Sequence, residues 1–114
     1  NFQNIEEVNK MKFFVQLVGL EGERIAGKEI NLVLQDSSFN IDPVITGEDG
    51  IAAFDLPEDA DQEQIQYLFV DNAEIDSDCK MHLLFVQENA TIVLQLRQPP
   101  PYWDLVVQED YASD

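Results

Sequence analysis

Apolar and polar positions alternate with a period of two along most of this chain, the pattern of strands with one buried face. Across residues 11–18, Phe13, Val15 and Leu17 share a side. Across residues 29–35, Ile30, Leu32 and Leu34 alternate with Glu29, Asn31, Val33 and Gln35. Residues 51–56 centre on Phe54, flanked by Ile51, Ala53 and Leu56. Residues 64–70 begin by alternating and then turn apolar on both sides, as a central strand does. Pro43 restarts an extended segment that runs to Thr46. Residues 81–86 and 90–96 predict a closing hairpin around Gln87-Glu88-Asn89. Together these make about seven strands at roughly ten-residue spacing, with almost no helical period.

The connections are polar and carry their own turn chemistry. Gly19-Leu20-Glu21-Gly22-Glu23 predicts a hairpin loop between the first two strands. In Thr46-Gly47-Glu48-Asp49-Gly50 the glycines supply positive φ, and Asp49 can bond its own backbone. Residues 57–63 form an acidic loop or one helical turn after Pro57. Pro99-Pro100-Pro101 cannot continue a sheet ladder and favours a stiff spacer. The expected fold is therefore all-β: a seven-stranded antiparallel β-sandwich over residues 11–98. Residues 1–10 are a lead-in, and 99–114 a proline-started acidic tail or linker. That tail carries Tyr102, Trp103, Leu105, Val107 and Tyr111, the candidate partner-binding residues. It can begin a following domain, form an acidic end, or add a strand to another chain's sheet. The acidic neighbours of Tyr111 resemble a tyrosine-sulfation context.

Charge narrows the partners. The 114 residues hold 23 acidic and 6 basic side chains, a net charge of −17. Nucleic acid and anionic membrane surfaces are repelled by such a chain, because both are bound by Lys and Arg. Basic proteins and cations remain. No stretch approaches the ~18 apolar residues of a membrane-spanning helix. The chain begins at Asn1 rather than methionine, which suggests a processed or excised piece of a larger protein.

Candidate chemistry is sparse. Cys79 and His82 are the single cysteine and histidine. In an extended segment their odd spacing points them to opposite faces, which does not suit a nucleophile and its base. The carboxylates lie mostly in loops, where solvation denies them the contrasting environments of an acid–base pair. No catalytic residue and no cofactor is expected. The acidic loop with Asp71, Glu74, Asp76 and Asp78 is the candidate cation site, since calcium takes six to eight oxygens from flexible loops. It lacks the regular calcium-loop pattern and its glycine. Asn89-Ala90-Thr91 is an N-glycosylation sequon in a polar turn. Cys79 is either a free thiol or a link to a neighbouring domain.

Residues 13–96 resemble a macroglobulin domain, the repeated sandwich of the α2-macroglobulin, complement C3 and thioester-protein family. The resemblance rests on the approach Ile25-Ala26-Gly27-Lys28-Glu29-Ile30 and on Thr46, Gly50-Ile51-Ala52, Phe54 and Leu56 after it. Gly47 stands where that family commonly has Asp. The resemblance implies an immunoglobulin- or fibronectin-III-like sandwich with Cys79 in an interdomain disulfide. It also implies a secreted parent that traps proteases or tags surfaces, contacting neighbouring domains of its own chain. The parent's Cys-Gly-Glu-Gln thioester motif is absent here. Bacterial adhesin and pilus modules, and transthyretin-like accessory domains, share a similar turn. A self-linked adhesin would join Lys12 to an Asn or Asp late in the last strand, and residues 91–96 offer neither. The second functional expectation is a cell-surface adhesion or receptor module. Its contact would lie on an edge strand, on an acidic loop, or on a patch of Phe14, Val18 or Trp103.

Overall fold

A computed structural model describes residues 10–74, 84–97 and 102–110; for Ala73, Glu74, Arg97 and residues 102–110 it describes the backbone alone. The chain is mostly β. Among the described residues eight strands run in order: β1 (Lys10–Val18), β2 (Glu29–Leu34), β3 (Val44–Ile45), β4 (Ile51–Pro57), β5 (Ile65–Val70), β6 (Ala73–Glu74), β7 (Ala90–Arg97) and β8 (Tyr102–Asp110). A 3-10 turn, Glu58–Ala60, follows Pro57.

The strands form two four-stranded sheets, ordered β4-β1-β7-β8 and β3-β2-β5-β6. The alternation explains how they meet. Met11, Phe13, Val15 and Leu17 of β1, Ala52, Phe54 and Leu56 of β4, and Ala90, Ile92 and Leu94 of β7 are all buried. So are Ile30, Leu32 and Leu34 of β2, and Ile65, Leu68 and Val70 of β5. These inward faces form one hydrophobic cluster shared by both sheets. Phe13 and Phe54 are cross-strand partners in it, at 0% and 1% exposure. Burying each ring contributes about 1.5–3 kcal/mol. On β4 the buried set Ala52, Phe54 and Leu56 keeps the period of two, so of the residues flanking Phe54, Ala53 is exposed and Ile51 only partly buried.

β5 departs from strict alternation, and the pairing shows why. Val33 pairs with Tyr67 but Leu34 with Ile65, so Gln66 is an extra residue. Such a bulge resets the phase. It lets Ile65 and Leu68 both face the core despite their odd spacing.

Four expectations are corrected. First, the predicted β1–β2 hairpin does not form. Gly19 to Glu23 make a tight turn, with the Gly19 N–H donating to Glu23 O at 2.8 Å. Arg24 bridges back to Val18, and the chain then crosses to the other sheet. Second, the closing hairpin is not made. Phe85 bridges Gln64 beside β5, while β7 lies in the opposite sheet. Leu84 and Val86 are buried, and their backbone bonds go to residues 62–65, so this piece is held by the β5 side. Third, the sheets are not wholly antiparallel: β7 runs parallel to β1, from Phe13↔Ala90 to Val18↔Gln95. Parallel neighbours need a long crossover, and the whole second sheet supplies it. Fourth, residues 102–110, expected within a tail or linker, form β8, paired antiparallel with β7 from Arg97↔Tyr102 to Ala90↔Asp110. The three prolines stand between those strands in sequence, outside the described residues. One of the two positive-φ roles proposed for Gly47 and Gly50 is also revised: of the pair, Gly50 alone has positive φ, at 77°.

Candidate functional site

The crossing between the sheets is built by Thr46 and the turn after it. Thr46 is 3% exposed. Its Oγ1 accepts from the Lys28 N–H at 3.0 Å and donates to Ile25 O at 2.9 Å. In the turn, Asp49 Oδ1 accepts from the Ile51 N–H at 3.0 Å, as its sequence position predicts. Gly50 O accepts from the Leu17 N–H at 2.8 Å. A Cβ on Gly50 would sit 2.7 Å from Leu17 O, so this approach admits glycine alone.

A cleft of about 390 Å³ opens beside this crossing, between the free edge of β4 and residues 40–44. Asn40, Asp42 and Val44 line one side, and Phe54, Asp55 and Lys10 the other. Asp55 is bound to Lys12 at 2.8 Å, with both side chains about half exposed (56% and 52%). An ion pair that wet is worth about 0–1 kcal/mol. Its place at an edge, beside Pro57, blunts pairing with a foreign strand.

The second feature is apolar. Val33 and Tyr67 are cross-strand partners on the outward face of β2 and β5, at 39% and 40% exposure. The Tyr67 and Phe69 rings lie 5.9 Å apart, centre to centre. Ile45, on the neighbouring strand β3, is 62% exposed. Large apolar side chains at outward strand positions were the available signal. The alternation of β2 places Val33 among polar neighbours, where it was easy to pass over. By contrast Phe14 and Val18, the expected contact patch on the other sheet, are partly buried.

The expected cation loop resolves differently at its first residue. Asp71 and Asn72 have φ of 51° and 70° and form a two-residue connection between β5 and β6, the backbone of a tight hairpin turn. Asp71 Oδ1 accepts from the Glu29 N–H at 2.9 Å, and Oδ2 pairs with Lys28 Nζ at 3.3 Å. The Glu29 hydrogen bond, more than the neighbouring lysine, holds the Asp71 carboxyl below its ordinary value. This carboxylate thus clamps the start of β2 to the end of β5. Asp36 is likewise lowered, by the Ser38 backbone N–H in its own turn. Glu74 lies in β6; Asp76, Asp78, Cys79, His82 and Tyr111 lie outside the described residues. Among the described residues no three acidic, histidine or cysteine side chains gather to hold a metal ion.

Tyr102, Trp103, Leu105 and Val107 stand in β8, in backbone register with Arg97, Leu96, Leu94 and Val93. Asn89 ends the turn before β7, with φ of 63° and its N–H donating to Lys12 O at 2.7 Å. Thr91 follows two residues later, between Phe14 and Glu109 in register. It occupies the face of β7 opposite Ala90, Ile92 and Leu94, yet is 1% exposed, and among the described residues its Oγ1 has no hydrogen-bond partner. An unpaired buried hydroxyl costs about 1–3 kcal/mol. Reading the sequence alone gave no signal of this.

No family model, curated protein or solved structure matches this chain. Among the described residues no helix is long and apolar enough to cross a membrane.

Proposed function

We propose that this chain is a non-catalytic β-sandwich module of a larger extracellular protein, acting through shape and contact. The observation that carries the reading is the outward ladder of Val33, Tyr67 and Phe69, with Ile45 beside it. Outward strand positions are free to be polar, so apolar side chains gathered there favour a contact face. The partner this face suits is a neighbouring domain of the same parent protein.

The connectivity bears on the sandwich type. An immunoglobulin-type sandwich keeps its first two strands in one sheet; here β1 and β2 belong to different sheets. That weighs against the immunoglobulin- and fibronectin-III-like arrangement implied by the macroglobulin resemblance. The transthyretin-like accessory and adhesin-type modules, which share the Thr46–Leu56 turn, become the better-supported parents. A protease-trapping parent of the macroglobulin type is the reading that loses weight.

The test is photo-crosslinking in the intact parent protein, with a benzophenone side chain at position 67. Crosslinks to an adjacent domain of the same chain are expected. Crosslinks to a separate surface protein would instead support the adhesion or receptor role. A probe at 67 that captures neither, or that captures no more than one at an exposed loop position such as 48, removes the contact face.

A further inference from the structure

We infer that Asn89 is an N-glycosylation site modified before the chain folds. The inference rests on the extracellular reading above, and on two residues that the fold explains unequally. Asn89 alone is accounted for by its backbone: φ of 63° is the left-handed region, which Asn tolerates better than most residues. Thr91 has no such account. Its hydroxyl is buried on β7 without a partner among the described residues. Valine has the same shape, suits a strand as well, and would bury no orphaned oxygen. The fold therefore does not ask for the one group at position 91 that an Asn-x-Thr acceptor requires.

The geometry also orders the events. Asn89 is partly exposed at the end of the turn Gln87–Ala90, and the bond that fixes it there is its backbone N–H to Lys12 O, which a sugar on Nδ2 leaves in place. Thr91 is 1% exposed, out of reach of any enzyme once β7 lies between β1 and β8. The hydroxyl is available only while residues 89–91 are still extended and unpaired. In the transfer, Nδ2 of Asn89 attacks the anomeric carbon of a lipid-diphosphate-linked oligosaccharide. The N–C bond forms as the anomeric C–O bond breaks. The lipid diphosphate leaves with the electron pair, and Nδ2 releases one proton. The turn's other side chains, Gln87 and Glu88, are polar, half-buried and exposed respectively.

The test uses the parent protein produced by its own cells, fractionated into medium, cell surface and cell interior. Peptide N-glycosidase digestion in heavy-oxygen water, followed by mass spectrometry of peptide 81–97, reads the site. Conversion of Asn89 to heavy-oxygen-labelled Asp is expected. Protein found outside the cell with that peptide unmodified overturns the glycosylation and leaves the extracellular reading intact. Protein confined to the interior overturns both. In a eukaryotic secretory host, Thr91→Val is expected to abolish the modification and Thr91→Ser to retain it; a glycan surviving Thr91→Val contradicts the assignment. As a folding control, unglycosylated Thr91→Val protein from bacteria should unfold at the same or a higher denaturant midpoint than wild type. A lower midpoint would show that the hydroxyl serves the fold, and the argument for the site would fail.

Discussion

Replacing Thr46 with valine isolates the device that carries the chain between its two sheets. Valine keeps the shape and the strand preference of threonine but deletes Oγ1. That oxygen takes the Lys28 N–H at 3.0 Å and gives its own proton to Ile25 O at 2.9 Å. The backbone bonds of Thr46 persist in the variant: its N–H to Lys28 O and its O from the Gly27 N–H, both 2.9 Å. The perturbation is thus two hydrogen bonds and nothing else. At about 0.5–1.5 kcal/mol each, the loss is about 1–3 kcal/mol. With a urea slope of about 1–3 kcal/mol per molar for a domain of this size, the unfolding midpoint should fall by roughly 1 M. Thr46→Ser restores the oxygen and should recover most of the difference. A valine variant with the wild-type midpoint, or a serine variant as weak as valine, would refute the claim that this hydroxyl holds the crossing.

Two further outcomes follow from the same structure. Gly50→Ala should destabilise by well over about 1 kcal/mol, because a positive φ of 77° is joined to a contact of 2.7 Å with Leu17 O; Gly22→Ala, with φ of 86° and nothing near its Cβ, should cost less. Equal losses in urea titrations would remove the close-approach argument. The Asp71 carboxyl is held below its ordinary value of 3.8, chiefly by the Glu29 N–H, so its folded-state pKa lies under its unfolded one. Its contribution is therefore present above about pH 4 and lost as pH falls through the lowered folded value. The stability gap between wild type and Asp71→Ala should shrink below pH 4; a gap that stays constant down to pH 2 would contradict the clamp.

The faces were largely legible in the sequence, and the partners were not. Phe13, Val15 and Leu17, or Ile30, Leu32 and Leu34, declare a buried side through alternation alone, and all six are buried. Alternation carries no information about which strand lies alongside. Gly19 and Gly22 make a real turn, but a turn fixes local direction only. Gly27 and Thr46 then lead β2 into the other sheet, through contacts 18 to 21 residues apart in sequence. The three prolines predict an ending, because proline stops a ladder locally. Beyond them the chain pairs again as β8, and only the neighbouring β7 reveals that. Asp71 illustrates the same limit at a candidate site. Its acidic surroundings suggest a cation, whereas the hydrogen bond that occupies it comes from Glu29, 42 residues away. The bulge at Gln66 likewise hides the phase of β5, and with it the outward position of Tyr67.

Through-space proton contacts in an isotope-labelled sample would test the architecture most directly, because the account stands on β1 lying between β4 and β7. Contacts linking Phe14 to Thr91 and Gln16 to Val93 in parallel register, and Phe13 to Phe54 in antiparallel register, are predicted. A ladder of contacts joining β1 to β2 instead, with none from β1 to β7, would contradict it.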